Sequence, residues 1–542
     1  MTEIRLDALV VGGGFGGIAL IRSFLELGFK CRAVDKYPDL GGTWHANRYP
    51  GVMSDSQSWM YQFSDKEQAL AFPWTKNYLT RDEIVSYLNL YVDKHSLREY
   101  FQFNTEVQSA EWDEATETWR VVCSTGDLFI VRYLATALGL FGKTKLPDIP
   151  GLEEGRFKGR VMHSAAWDRN VDLDGKRVGI IGCGSTGIQL TVACTPKARD
   201  LRVFIRHPQY SVPAGIRDIS PKERQRINDS YDDIRAQALG SRTASGFAEP
   251  TRATASVSPE ERTQIYEDLW RTGGGFRFLW GGFSDIGTNP EANEEACNFI
   301  RKKIQSIVHD SAKVECLMPK EAYARRPPCD DGYYECFNQK HVMPIDVLAN
   351  PITHLEEKGL RTADGTLHEL DILILATGFE AIDGPYKAIQ GGIKGRGGEQ
   401  LIDHWAAGAS AYLGIFNAGF PNFFIINGPH VPVANVPTAI EVQVRLLTDL
   451  LRKKAVEDKF TVIEVTPATE AAWIEECNNA GADMISQKVN SWTTGKLNTN
   501  GETNGETVRK PPHNQFYIPG IRGYLELSEN VKAGNYSGFK FS

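Results

Sequence analysis

The sequence predicts an α/β fold in which two Rossmann-like dinucleotide-binding domains carry a mostly helical insertion. Three observations lead there. A short apolar run at the N-terminus passes straight into a glycine-rich turn and then a helical stretch. The same order recurs from Arg177. Between that second unit and the next buried strand, residues 220–310 change texture, with proline-led helix starts in place of apolar runs.

Leu6-Asp7-Ala8-Leu9-Val10-Val11 is nearly continuous in apolar residues, the pattern of a parallel strand buried on both faces. Gly12-Gly13-Gly14-Phe15-Gly16-Gly17 follows, Ile18 to Leu27 is apolar at helical spacing, and Gly28 stops that helix. Phe29 to Val34 reads as the next strand. In the second unit Arg177 to Ile181 is the strand, Gly182-Cys183-Gly184-Ser185-Thr186-Gly187 the turn and Ile188 to Cys194 the helix, closed by Pro196. Leu201 to Ile205 is the following strand. Two complete units imply two nucleotide-binding domains. Pro221 and Pro259 mark helix starts in the insertion, and Asn293 to Val308 carries Ala296, Phe299, Ile300, Ile304 and Ile307 at helical spacing. Ile372 to Ala376 and Phe423 to Ile426 read as buried strands, and Phe460 to Val465 as a short apolar run without a role. Residues 496–512, rich in Asn, Gly, Thr and Lys, read as a long mobile loop, functional because nothing like a domain follows it. The expected division is 1–140 with 386–542, 150–218 with 322–380, and the helical insertion 219–321.

Composition narrows the function. The chain has 542 residues, with 60 Lys and Arg against 68 Asp and Glu, a net charge of −8. Such a chain has no general attraction for nucleic acid or an anionic bilayer. No apolar run is long enough to span a membrane, and the acidic N-terminus is not a signal peptide. Nine cysteines without a CxxC pair argue against a disulfide framework and a thiolate zinc site, and for a reducing, cytoplasmic setting. The eleven histidines form no HxH or HExxH cluster, so no catalytic metal is expected. No protein partner is implied.

Gly12, Gly14 and Gly17 allow, in turn, a tight turn, close approach of a pyrophosphate, and close helix–strand packing. The helix N-terminus offers free N–H groups to phosphate. Asp35, at the end of the second strand, is placed to take the adenosine ribose hydroxyls. Gly41-Gly42 just beyond permits close approach to a large ligand. One FAD site and one NAD(P) site is the economical reading of two fingerprints. The second ends its strand at Arg206-His207 with no acid. A carboxylate there would repel a 2′-phosphate and an arginine attracts it, so NADPH is favoured.

Phe157-Lys158-Gly159-Arg160-Val161-Met162-His163-Ser164-Ala165-Ala166-Trp167-Asp168 satisfies every fixed position of F-x-G-x-x-x-H-x-x-x-W followed by Pro or Asp. With it go Gly41-Gly42-Thr43-Trp44, Asn47 to Gly51, Asp55, Arg325-Arg326-Pro327, Gly332-Tyr333-Tyr334, Ala376-Thr377-Gly378-Phe379, Gly428-Pro429 and Ser491-Trp492. On these residues the whole chain resembles the type I Baeyer–Villiger monooxygenases. It departs from them at His45-Ala46, where aromatic residues are usual, and at Val433-Ala434, a smaller pair beside the substrate.

The resemblance implies an NADPH- and O2-dependent flavoprotein that converts a small ketone to an ester or lactone through a C4a-peroxyflavin. It makes Arg326 the catalytic cation and Asp55 the carboxylate that orients it beside the flavin. Gly42, Thr43, Trp44 and Tyr61 join the first fingerprint around FAD. Gly182, Gly184, Ser185, Thr186, Gly187 and Gln189, with Arg206 and Arg325, hold NADPH/NADP+, and Trp492 covers the site. His163 reads as a hinge or coupling element, not a base. The enzymatic alternative is a flavin monooxygenase acting on N or S. A disulfide reductase is excluded, because it needs a redox-active Cys pair near the flavin. The small Val433 and Ala434 are compatible with a bulkier or linear ketone.

Overall fold

The computed structural model describes residues 2–494 and 514–542. Strand Thr2–Val11 runs through the first sheet, parallel to Cys31–Val34 on one side and to Asp127–Thr136 on the other. Phe101–Gln102 lies beyond Cys31–Val34. Val10 stands opposite both Ala33 and Ala135, and Ala8, Leu9 and Val10 are fully buried, as the apolar run requires. The outer edge of Asp127–Thr136 is shared. Its first half pairs antiparallel with Thr118–Cys123, and its second half takes Phe423–Ile425 in parallel. The chain thus returns to its first sheet after a long excursion.

That excursion builds a second sheet of five parallel strands, in the order Val342–Asp346, Asp200–Ile205, Arg177–Ile181, Ile372–Leu375 and Arg160–His163. The F-x-G segment therefore supplies an edge strand. Its glycine is forced: a Cβ on Gly159 would lie 2.5 Å from the carbonyl oxygen of Asp371. Residues 221–317 are mostly helical, with Pro221–Asp229, Tyr231–Leu239, Pro259–Thr272, Gly275–Trp280, Pro290–Ile307 and Ser311–Leu317 joined by irregular segments. Ser220 and Ser258 cap the proline-led starts by accepting from the N–H groups of Glu223 and Glu261.

Boundaries differ from the sequence reading in several places, among them the two nucleotide helices, which begin at Phe15 and Ser185, three residues ahead of the apolar pattern. The first strand begins at Thr2, because Thr2 already pairs with Asp127. Residues 29–30 stay outside the second strand: Gly28, at φ 79°, turns the helix end, and Phe29 N–H closes on Phe24 O at 3.0 Å. The long insertion helix starts at Pro290, capped by Asn289, while Asn293 is buried inside it and donates to Ile286 O and Tyr323 O. The run without a role holds strand Ile463–Val465, which pairs antiparallel with Phe539–Phe541. The loop expected at 496–512 lies outside the described residues. Among the described residues no helix is long and apolar enough to cross a membrane.

Two connections join the sheets, and they run side by side. Lys145 N–H donates to Gly378 O at 2.9 Å, and Thr144 bridges Phe379. His163 adds a pin. Its Nδ1 accepts from Ala165 N–H at 3.1 Å, which leaves the proton on Nε2, 3.2 Å from Gly378 O. Burial pushes its pKa down, against the effect of the Gly378 carbonyl, and keeps the ring neutral.

Candidate active site

Each fingerprint closes on the same contact. A Cβ on Gly17 would stand 1.7 Å from Gly12 O, and one on Gly187 would stand 2.1 Å from Gly182 O. Only glycine lets either helix settle on its strand. The helices Phe15–Glu26 and Ser185–Cys194 start at Gly14 and Gly184 with no side-chain cap, so their first N–H groups stay free for an anion. Gly42 faces Gly14, with room for a Cβ only 3.1 Å from Gly14 Cα, and no atom lies within 4 Å of a Cβ built on Gly184. These are narrow, backbone-lined cradles, and they suit the phosphates of dinucleotides.

Asp35 has a structural duty the sequence did not show. Its carboxylate accepts from Gly13 N–H and, at 2.7 Å, from Tyr37 N–H, so it braces the turn from below. Burial raises its pKa, outweighing those two amide donors. It still lines the first cleft, together with Gly12, Gly14, Gly42, Thr43, Trp44 and Tyr61. Trp44 Nε1 donates to Tyr61 Oη at 3.2 Å, fixing the indole edge-on to the phenol.

Thr43, Trp44 and Tyr61 also border a larger cavity of about 610 Å³ between the two sheets. Its wall brings together Asp55, Gly184, Ser185, Thr186, Gln189, Arg325, Arg326 and Trp492. Arg326 ties separate parts of that wall together. Its Nη2 pairs with Asp55 Oδ2 at 2.5 Å, its Nη1 donates to Ser185 Oγ at 2.9 Å, and its guanidinium lies 5.3 Å from the centre of the Phe276 ring. Asp55 comes from strand Met53–Gln57 and Ser185 opens the second nucleotide helix. A planar fork held by two fixed acceptors keeps further N–H donors for a third.

Other expected residues have different settings. Gln189 Oε1 accepts from Tyr49 Oη at 2.8 Å and Nε2 donates to Met53 O at 3.4 Å, so it ties the 49–53 segment to the second helix. Burial raises the Tyr49 phenol to about 12. Arg325 is paired with Glu321 and donates to Asn490 O at 3.0 Å, which tethers the segment leading to Trp492. Trp492 packs edge-on to Phe141 and Phe516. Gly182, Gly187 and Arg206 stand outside the cavity wall. Arg206 is exposed beyond strand Asp200–Ile205, close enough to Lys145 that burial and the Arg206 charge together lower the lysine's pKa.

Sequence reasoning missed Arg242, Phe276, Trp280, Met484 and Phe516, which complete the wall beside Val433 and Ala434. They come from the insertion and the C-terminal part. The one available signal was Gly273-Gly274-Gly275 before Phe276: a Cβ on Gly275 would stand 2.3 Å from Pro327 O, so the glycines seat that aromatic helix against the arginine segment. All nine cysteines are unpaired. Among the described residues no group of His, Cys, Asp or Glu is placed to hold a metal ion.

Comparison with known proteins agrees with this geometry. Residues 7–212 match the flavin-binding monooxygenase-like family. The chain is 42% identical over 539 residues to a cyclohexanone 1,2-monooxygenase of Acinetobacter sp., covering 99% of this chain and 97% of that one. It is 40% identical, again over 539 residues, to a phenazine N-monooxygenase of Lysobacter antibioticus, covering 99% and 97%. Among solved structures, cyclohexanone monooxygenase from Rhodococcus sp. Phi1 bound to NADP+ superposes with a TM-score of 0.95 at 40% identity over all of both chains.

Proposed function

This chain belongs to the type I Baeyer–Villiger monooxygenases, and from that membership we propose how its residues divide the work. The enzyme is an FAD- and NADPH-dependent monooxygenase that converts a ketone, O2, NADPH and a proton into an ester or lactone, NADP+ and water. The bound flavin, reduced by NADPH, supplies the activated oxygen. The cleft lined by Gly12, Gly14, Gly42, Thr43 and Trp44 holds FAD, and the free helix end at Gly184 and Ser185 holds the nucleotide. Arg206, with Lys145 beside it, receives the 2′-phosphate. The segments 1–140 and 386–542 form the flavin unit, and 150–218 with 322–380 the NADP unit.

One observation carries this reading: Arg326, seated between Asp55 of the first unit and Ser185 of the second, on the wall of the cavity they share. Negative charge develops there as the carbonyl becomes tetrahedral. A guanidinium held in place before the reaction stabilises that charge without reorganising, and the surrounding apolar wall strengthens the interaction. Asp55 aims the fork and Ser185 holds its other arm. Trp492, braced on Phe141 and Phe516, excludes water from the same cavity. Arg325 anchors the segment that carries this indole. The neutral, doubly bonded His163 couples the two connections and takes no proton. Nine free thiols suit a reducing cytoplasm.

The test is ketone-dependent NADPH oxidation with the ester identified by mass. We expect one ester formed per NADPH consumed on at least one cyclic or linear ketone. NADPH oxidation yielding only hydrogen peroxide across a broad panel would overturn the reading. The phenazine N-monooxygenase relative favours a second activity of the same cavity, oxygenation of an aromatic ring nitrogen, and a phenazine in the panel measures it.

A further inference from the structure

The cavity wall carries a third arginine that has no part in the proposed reaction. Arg242 lines its wall. The acid nearest to it in sequence, Glu249, is spent on backbone and hydroxyl: it accepts from the N–H groups of Arg242 and Thr243 and from Thr243 Oγ1. Among the described residues the Arg242 guanidinium makes no hydrogen bond and no ion pair. It lies 5.3 Å from the centre of the Trp280 ring. The cavity's other arginines are neutralised, Arg326 by Asp55 and Arg325 by Glu321. Among the described residues Arg242 therefore brings to a mostly apolar wall a guanidinium that no acceptor pairs, and burial lowers its pKa against the opposing charge of nearby Glu249. A half-buried cation in such a place is costly until an anion meets it.

Its position relative to Arg326 defines the ligand. Phe276 and Trp280 are stacked, 5.1 Å apart and 21° from parallel. Arg326 lies 5.3 Å from the centre of the Phe276 ring, and Arg242 the same distance from that of Trp280. Each guanidinium thus sits against one ring of the same aromatic pair. One end is the reacting centre; the other is a vacant fork of the kind that takes a carboxylate through two parallel N–H bonds. Resting on the ketone-oxidising reading, we infer that Arg242 is a substrate-anion subsite, and that the enzyme's substrate is a ketone carrying a carboxylate across an apolar skeleton. The ketone is placed at Arg326, the skeleton lies along Phe276 and Trp280, and the carboxylate pairs with Arg242.

The test compares 3-(2-oxocyclohexyl)propanoate with its methyl ester, which has the same ketone and no charge. The FAD-loaded enzyme should favour the acid in kcat/KM by about tenfold or more, mainly through KM, as expected for a charge-assisted hydrogen bond. It should also bind the acid more tightly by calorimetry in the oxidised state. Arg242→Met keeps the apolar stem on Trp280 and should bring the acid-to-ester ratio close to one; Arg242→Lys should restore part of it. The KM for NADPH should stay put in both. Equal kcat/KM for acid and ester in the unaltered enzyme would overturn the subsite and leave ketone oxidation standing. So would a KM for NADPH raised in Arg242→Met with the acid-to-ester ratio intact, because the arginine would then serve the nucleotide. Tight, Arg242-dependent binding of the acid with neither compound oxidised would sustain the subsite and refute the ketone-oxidising reading.

Discussion

Arg326 donates a 2.9 Å hydrogen bond to Ser185, and this contact links the segment after the insertion to the first residue of the second nucleotide helix. The same guanidinium holds Asp55 of strand Met53–Gln57. The Arg326 guanidinium, the proposed reacting cation, is therefore held by the Met53–Gln57 strand and the second nucleotide helix at once. Any change in how the two sit is felt at the chemistry without a separate relay.

Arg326→Ala should lower ester formation about 100- to 1,000-fold, the cost of about 2.7–4 kcal/mol that follows the loss of one aimed donor. The FAD content should be unchanged, since Arg326 lies outside the flavin cleft. Arg326→Lys should recover only part of the rate, because the charge survives and the fork does not. Asp55→Ala should fall between the two. Ester yield per NADPH consumed decides the matter, and near-normal yield from Arg326→Ala would make the residue structural.

The two third glycines should separate the two cofactors. Gly17→Ala forces a Cβ into Gly12 O and should give flavin-free, poorly folded protein. Gly187→Ala does the same at Gly182 O and should leave a yellow protein with a much higher KM for NADPH. Flavin content by absorbance and steady-state KM check both. Full NADPH affinity in Gly187→Ala would contradict the second assignment.

Arg206→Ala should raise the KM for NADPH about tenfold, with little effect on kcat or on the KM for NADH. The guanidinium is exposed at the strand end, so the loss is one of ground-state binding. Equal changes for NADPH and NADH would show that Arg206 does not read the 2′-phosphate.

His404 makes stability depend on pH. It lies between Glu399 and Glu470, at 3.2 and 3.1 Å. Burial works to lower its pKa, but the hydrogen bonds and charges of Glu470 and Glu399 outweigh that and raise it above 6.5. A raised histidine contributes stability that is fully present below pH 6.5 and lost as the pH rises through its folded value. His404→Gln should therefore destabilise the protein most near pH 6, and the gap in Tm should narrow toward pH 9. A gap that widens with pH would reverse the assignment.

The architecture was legible in the sequence wherever local rules dominate. Strand, GxGxxG turn and helix are written in consecutive residues, because the glycines are demanded by contacts within one unit, Gly17 on Gly12 and Gly187 on Gly182. The apolar runs at Leu6 and Arg177 marked the central strands for the same reason: a strand buried on both faces can hold almost nothing else. The pairing of Arg326 with Asp55 was reached only through a family resemblance, since 271 residues of unrelated local structure separate them. What the tertiary structure alone decided is what long-range packing decides. It gave Asp35 the Gly13 amide, Gln189 the Tyr49 hydroxyl and Arg325 the Glu321 carboxylate as partners, contacts that neither spacing nor resemblance announced, while all three still line the clefts. It also brought Arg242, one charge in an undistinguished helical block, to the cavity wall beside Trp280, which stacks on the Phe276 ring near Arg326. Sequence carries the period of a helix and the demand for a glycine. Which buried charge meets a partner depends on side chains that only the folded chain brings within reach.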